Sequence, residues 1–189
     1  MNRVRSDAGF TLVELLLAIA ILGIVIVPLT GGIIVGLRTM DQTSHRYAAS
    51  NDAQVLSRYL PPDVQSANTG NTSSLSACTG TSNRKLQLTV NAQATTGTRI
   101  IMYWLRGPSG DRFELVRSVW ENGAACTSGP ATRTTVMARD IASASNVTAT
   151  PLSGTPPAPP GFKVSVTEAP AQNESTGYTF AVTGRKRTT

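Results

Sequence analysis

Residues 10–37 read FTLVELLLAIAILGIVIVPLTGGIIVGL and contain a single charged side chain, Glu14. A helix rises about 1.5 Å per residue, so residues 10–29 would span the roughly 30 Å hydrocarbon core of a bilayer. One acid near the end of such a segment costs about 3 kcal/mol, which the surrounding apolar residues outweigh. We therefore expect this stretch to form one membrane-spanning helix.

The composition of the 189-residue chain is uneven, because the apolar segment is followed by a body rich in Thr, Ser, Ala and Gly. Charged residues make up only 15% of the chain, and 17 Lys and Arg against 11 Asp and Glu leave a formal charge of +6. Soluble domains usually carry about 25% charged residues. This pattern argues against a uniformly soluble cytosolic domain, a multi-spanning membrane protein and a disordered acidic chain.

Two ordinary explanations of the apolar segment compete. A secretory signal peptide would use Ala18-Ile19-Ala20 as its small-x-small cleavage site, but the apolar run continues through residues 21–27 beyond it. An uncleaved signal anchor is the second alternative. The positive-inside rule does not set its orientation, since arginines lie equally close on both sides: Arg3, Arg5, Arg38 and Arg46.

The string Ala8-Gly9-Phe10-Thr11-Leu12-Val13-Glu14 resembles the class III signal of type IV prepilins and pseudopilins. That signal is a short basic leader ending in Gly, followed by Phe-Thr-Leu-x-Glu and a long apolar helix. The resemblance implies that a prepilin peptidase removes the leader, residues 1–9, by cutting between Gly9 and Phe10. It also implies N-methylation of the new Phe10 amine.

The chemistry of this signal is intelligible from its residues. Gly9 has no side chain, so a protease at the membrane surface can approach its carbonyl closely. Glu14 opposes the positive end of the helix dipole, and a carboxylate inside a membrane needs a partner. By the resemblance, that partner is the Phe10 amine of an adjacent subunit, which makes Glu14 the assembly residue.

Residues 10–36 form the expected transmembrane and polymerisation helix, and Pro28, Gly31 and Gly32 lie within it. Proline removes a helix hydrogen bond, and each Gly lowers helix propensity by about 1 kcal/mol. We expect a weak point there, in the region where pilin helices locally unwind during assembly.

Residues 37–60 carry apolar side chains at helical spacing, which predicts an amphipathic continuation of the helix that ends before Pro61-Pro62. The remainder, residues 61–189, is the expected extracytoplasmic head, with a Pro-rich connector at 155–161 and a basic tail at 185–187. Its alternating segments predict short strands, with a hairpin at Gly107–Asp111, and 132–145 is ambiguous between strand and helix. The predicted strands are 85–90, 99–106, 112–120, 162–166 and 178–182. The fold class is α+β: one antiparallel sheet packed on the long helix.

Within the family, the head resembles PilW-like minor pilins and J-type pseudopilins of type II secretion, through residues 59–67, 103–122 and 136–141. These matches are much less specific than the N-terminal string. They favour a minor, initiating or tip-associated subunit over an abundant major pilin.

The two cysteines, Cys78 and Cys126, flank the predicted central hairpin, and an oxidising extracytoplasmic compartment favours a disulfide between them. They lack CxxC spacing, and with His45 they do not supply the four ligands of a zinc site. No metal or cofactor is expected.

The chain contains no GxSxG, Walker A, HExxH or GxGxxG motif, so a membrane-anchored hydrolase lacks a site and no enzyme activity is expected. The basic surplus leaves a second function open, a pilus-tip adhesin or DNA-uptake receptor that contacts DNA or anionic cell-wall polymers. Six basic residues lie in the strand region, with Tyr103, Trp104 and Trp120 as candidate stacking platforms: Arg84, Lys85, Arg99, Arg106, Arg112 and Arg117.

The expected function is that of a structural minor pilin or pseudopilin subunit that assembles into a type IV pilus or a type II secretion pseudopilus. Its expected partners are the prepilin peptidase, other pilin subunits, the assembly platform and the membrane. The precursor would cross the bacterial cytoplasmic membrane once, with a cytoplasmic N-terminus and an extracytoplasmic head.

Overall fold

The computed structural model describes residues 11–91, 97–122, 126–153, 160–170 and 175–186, and the chain divides into two compact units, residues 1–43 and 44–189. One α-helix, α1, spans Leu12–Ser66, and antiparallel strands follow it, which confirms the α+β class. The strands are β1 Thr69–Asn71, β2 Arg84–Asn91, β3 Thr98–Ser109, β4 Arg112–Trp120, β5 Arg133–Ile141, β6 Val147–Pro151, β7 Gly161–Thr167 and β8 Thr179–Arg185.

The strands form two sheets rather than the single sheet expected from the sequence: one of order β1-β2-β3-β4-β5 and one of order β6-β7-β8. The predicted β3–β4 hairpin and the predicted β7–β8 pair are both present. The ambiguous stretch 132–145 explains the division, because β5 ends at Ile141 and a short 3-10 helix, Ala144–Asn146, leads directly into β6 of the other sheet.

The five-stranded sheet is buried on both faces, which its central strand β3 shows most clearly. Ile101, Tyr103 and Leu105 belong to the larger core, together with residues of α1 and of the three-stranded sheet. The alternate residues Met102 and Trp104 belong to a second, smaller core. Side chains alternate between the faces of a strand, so the nearly continuous apolar run from Ile100 to Leu105 is the pattern of a strand covered on both sides.

The Cys78–Cys126 disulfide belongs to the smaller core, beside the buried Trp104 and Trp120. Its Cα atoms are 4.7 Å apart, and it closes a sequence separation of 48 residues. A loop of that length contributes about 4 kcal/mol on the chain-entropy account. The indole N–H groups are also satisfied, since Trp104 donates to Ser118 Oγ at 3.0 Å and Trp120 to the Gly129 carbonyl at 3.2 Å. The aromatic side chains expected to stack on a ligand are therefore part of the core.

The end of α1 differs from the prediction, because the helix continues through Pro61-Pro62 to Ser66 instead of ending at Leu60. Each proline removes a backbone donor, which normally ends a helix. Here the last turn is held by tertiary contacts, since Leu60, Asp63 and Val64 are all buried. The three-stranded sheet approaches this turn closely: a Cβ at Gly184 would lie 2.7 Å from Val64 Cγ2.

The basic tail expected at 185–187 is not a free tail in its described part. Arg185 is the last residue of β8 and pairs with Gly161. Lys186 donates its backbone N–H to the Pro160 carbonyl and its ammonium group to the Asn68 carbonyl, each at 2.7 Å. Strand pairing thus fixes residues that composition alone assigned to solvent, while Arg187 and residues 155–159 of the connector lie outside the described residues.

A buried ion pair joins the last turn of α1 to the hairpin. The Arg117 guanidinium donates to both carboxylate oxygens of Asp63, at 2.6 and 2.7 Å, and Tyr103 Oη donates to Asp63 Oδ2 at 2.6 Å. Tyr103 and Arg117 face each other across β3 and β4, and Arg117 also lies 5.2 Å from the ring centroid of Tyr59. Burial, together with the Asp63 carboxylate, raises the pKa of Tyr103 well above its ordinary range, so its hydroxyl stays a donor.

This ion pair also compensates the negative charge of Asp63 at the C-terminal end of α1. Asp63 lies in the last helical turn, which contains no basic residue, and an acid there is unfavourable beside the negative end of the helix dipole. Arg117 supplies the missing cation from β4. Leu115 and Val119, two residues before and after Arg117 on β4, are buried in the larger core, so strand alternation puts Arg117 on the same inward-facing side. The sequence analysis had counted Arg117 among the basic residues of a possible ligand surface.

We predict that Arg117→Met lowers the free energy of unfolding by about 3–5 kcal/mol, because it leaves the Asp63 carboxylate buried without its cation. The measurement is urea unfolding of the full chain in detergent, followed by tryptophan fluorescence. The matched control is Arg99→Met, which breaks the exposed Arg99–Glu121 pair and should cost less than about 1 kcal/mol. Equal losses in the two variants would contradict the anchoring role of Arg117.

Candidate functional site: the N-terminal helix

The first turn of α1 is closed by reciprocal hydrogen bonds between Thr11 and Glu14. Glu14 Oε2 accepts from the Thr11 backbone N–H and from the Thr11 hydroxyl, both at 3.0 Å, and the Glu14 backbone N–H donates to Thr11 Oγ1 at 3.3 Å. This is a capping box, in which an N-cap Thr and an acid three residues later satisfy each other's backbone donors. The sequence analysis gave Glu14 a dipole role and the assembly contact but did not identify this cap, although the T-x-x-E spacing before an apolar run is the signal for this motif.

The apolar side chains that follow are exposed in the part of the chain that the structure describes. Seventeen large aliphatic residues between Leu12 and Leu37 keep 47–75% of their surface exposed. Full transfer of one such side chain out of water lowers the free energy by about 1.5–3 kcal/mol. This part of α1 is long and apolar enough to cross a membrane, and none of it is buried in the protein. Lipid or another protein must therefore cover it.

The predicted weak point at Pro28, Gly31 and Gly32 lies inside α1, which is continuous there. Pro28 has no backbone N–H to donate to the helix. Close to it, the Thr30 hydroxyl donates to the Ile26 carbonyl at 2.9 Å, which is a local side-chain bond within α1. A Cβ added at Gly31 or Gly32 would meet no atom of the chain within 4 Å. Packing inside the subunit does not require these glycines, and unwinding during assembly stays a prediction.

The other predicted site residues are distributed as follows. Gly9 and Phe10, at the expected cleavage and methylation site, lie outside the described residues. Cys78 and Cys126 lie in the head as the disulfide described above. Within the described ranges, no group of three or more His, Cys, Asp or Glu residues could hold a metal ion.

Residues 4–30 match a protein-family model, the prokaryotic N-terminal methylation motif. The matched range includes the string that resembles the type IV prepilin and pseudopilin signal. The matched range contains Gly9, Phe10 and the Thr11–Glu14 capping box, and the α+β architecture, a long N-terminal helix followed by antiparallel sheets, is pilin-like. No curated protein and no solved structure matches the chain.

We predict that Thr11→Ala destabilises the start of α1 by about 1 kcal/mol, because the N-cap oxygen is lost. Amide hydrogen exchange of the detergent-solubilised chain should accelerate at Glu14 and Leu15, whose N–H groups bond to Thr11. Thr11→Ser keeps the hydroxyl and is the matched control. Protection at Glu14 that is as strong in the Ala variant as in the Ser variant would show that the capping box does not hold the turn.

Proposed function

We propose that the chain is a minor pilin or pseudopilin subunit that is stored in the cytoplasmic membrane and then polymerised through its N-terminal helix. A prepilin peptidase would cut after Gly9 and methylate Phe10. The mature subunit would then join other pilin subunits at the assembly platform, in a type IV pilus or a type II secretion pseudopilus. The observation that carries this proposal is the match to the methylation motif, with Glu14 in the first turn of an uncovered apolar helix.

The exposed apolar surface of α1 suits both stages of this cycle. Lipid tails are as apolar as leucine side chains, so lipid can be exchanged for neighbouring helices without exposing this surface to water. Hydrophobic burial is then nearly equal in the membrane and in the filament. Selection of the correct register must come from a polar contact, and Glu14 is the one charged residue of residues 10–37.

Glu14 can provide that contact in two successive states. In the isolated chain both Thr11 donors bond to its Oε2 atom, which holds the carboxylate against its own helix start. In the filament, the cationic Phe10 amine of an adjacent subunit would approach the same carboxylate. A charge pair in an apolar environment is strong only when its geometry is correct, so it rejects subunits that arrive out of register.

A pilus-tip binding subunit is the alternative, and its DNA-receptor form has less support in the head. Arg99 pairs with Glu121, Arg106 with Glu114, and Arg117 is buried with Asp63, while the Lys85 ammonium group donates to the Ala144 carbonyl. Tyr103, Trp104 and Trp120 are all buried. These contacts occupy four of the six basic groups and remove the aromatic platforms that stacking on nucleic acid uses.

We predict that Glu14→Gln blocks incorporation into filaments, because it keeps the shape of the side chain but removes the charge that pairs with the incoming amine. The measurement compares the amount of subunit in sheared filaments with the amount in the membrane fraction of cells that carry the assembly system. The variant should accumulate in membranes. Glu121→Gln, at an exposed ion pair of the head, is the matched control and should incorporate normally. Wild-type incorporation of Glu14→Gln would contradict the proposed role of the carboxylate.

A further inference from the structure

A buried carboxyl group in the head has no role in the proposed assembly cycle. Glu168 follows β7, is only 4% exposed, and its Oε1 atom has no hydrogen-bond partner in the part of the chain that the structure describes. Its backbone is fixed, since the Glu168 N–H donates to the Tyr178 carbonyl at 3.0 Å. A Cβ at Gly177 would overlap the Glu168 carbonyl oxygen, so the chain segment before β8 packs directly on this residue. An orphaned polar atom in such a place is costly and calls for an explanation.

Two further acidic residues, one from α1 and one from β5, lie close enough to Glu168 for their negative charges to disfavour its ionised form. Asp52 comes from α1, is 8% exposed, and accepts the Arg139 backbone N–H at 2.8 Å. Asp140 comes from an irregularity in β5 and has a φ of 52°, a backbone conformation that is uncommon outside glycine. The Asp140 carbonyl accepts the Ala169 N–H at 2.7 Å, which ties the residue after Glu168 to β5.

Positive charge near this acidic cluster, which we define as Asp52, Asp140 and Glu168, is limited to Arg139 in the described interactions. Arg139 acts on Asp52, but its side chain is 65% exposed and its Nε lies 3.7 Å from Glu114. Burial, reinforced by Asp52 and Asp140, raises the pKa of Glu168 to about 7. Burial is also the main cause that raises the pKa of Asp52.

We propose that Glu168 holds a proton in the folded head, and that loss of this proton loosens the junction between the β7–β8 pair, β5 and α1. A proton is the fitting ligand, because no set of described His, Cys, Asp or Glu residues has the arrangement of a metal site. Ionised Glu168 would be a buried charge beside two other carboxylates, with no partner at Oε1. The junction contains the bonds that connect residues 168 and 169 to Tyr178 and Asp140, so these contacts should open first.

The direction of the pH effect follows from the two states of Glu168. Its pKa lies near 7 in the folded head, against an ordinary value of 4.5. The unfolded chain therefore releases this proton at lower pH than the folded head, and stability falls as the pH rises from about 4.5 through 7. Between pH 5 and pH 8 the folded-to-unfolded ratio should fall by roughly 70-fold.

The test is thermal unfolding of the full chain in detergent at pH 5 and pH 8, followed by near-ultraviolet circular dichroism. The unfolding midpoint of the wild type should be roughly 5–10 °C lower at pH 8. Glu168→Gln should remove most of this difference by raising the midpoint at pH 8. Glu121→Gln removes a carboxylate from an exposed ion pair of the same head and should keep the wild-type pH dependence.

A second variant covers the case in which Glu168→Gln does not fold. Asp140→Asn removes one neighbouring charge and keeps a residue type that tolerates positive φ. Because the Asp140 charge helps to raise the pKa of Glu168, the midpoint of this variant should fall less between pH 5 and pH 8 than that of the wild type, and the fall should end at lower pH. Amide exchange at Glu168 and Ala169 should accelerate at pH 8 beyond its intrinsic increase. A pH dependence that is unchanged in both variants, or a wild-type midpoint that does not fall between pH 5 and pH 8, would overturn the proposal.

Discussion

The constraint on which this molecule depends is that the first part of α1 presents seventeen large aliphatic side chains that stay 47–75% exposed among the residues that the structure describes. Full transfer of one such side chain out of water gains about 1.5–3 kcal/mol, so the sum far exceeds the 5–15 kcal/mol net stability of an ordinary domain. The subunit must therefore be surrounded by lipid or by other proteins. Glu14 is the one charged residue of residues 10–37.

In the head, the C-terminal turns of α1 pack onto the five-stranded sheet. Aliphatic contacts of Leu56, Leu60 and Val64 supply most of the burial. The Asp63–Arg117 pair adds geometric specificity to this packing. Its two hydrogen bonds form only when the last turn of α1 is rotated so that Asp63 faces β3 and β4. A buried pair is weak evidence for net stability but strong evidence for a fixed arrangement once formed, since breaking it leaves an uncompensated charge.

Much of this arrangement could be predicted from local patterns, and the rest depended on distant contacts. Alternating residues identified β2, β7 and β8. A nearly continuous apolar run identified β3, the turn signal after it identified β4, and the long apolar segment near the N-terminus identified α1. The three residues of β1 and the polar strand β6 carry no alternation strong enough to recognise, so the second sheet was missed. The helix end at Pro61-Pro62 was wrong because Arg117 and Gly184, far along the chain, stabilise the turn that the prolines weaken. The prediction of a basic tail at 185–187 was wrong at Arg185 for the same reason, because that residue pairs with Gly161 in the second sheet.

Whether the methylation motif directs processing of this chain is tested most directly by intact and peptide mass spectrometry of the protein recovered from membranes. If it does, the mature chain should begin with N-methylated Phe10 and lack residues 1–9. A variant with Gly9 replaced by Val should keep residues 1–9, because the added side chain blocks close approach to the scissile carbonyl. A wild-type chain that retains Met1, or one that begins near Ile21 as a secretory signal cleavage would leave it, would contradict the account.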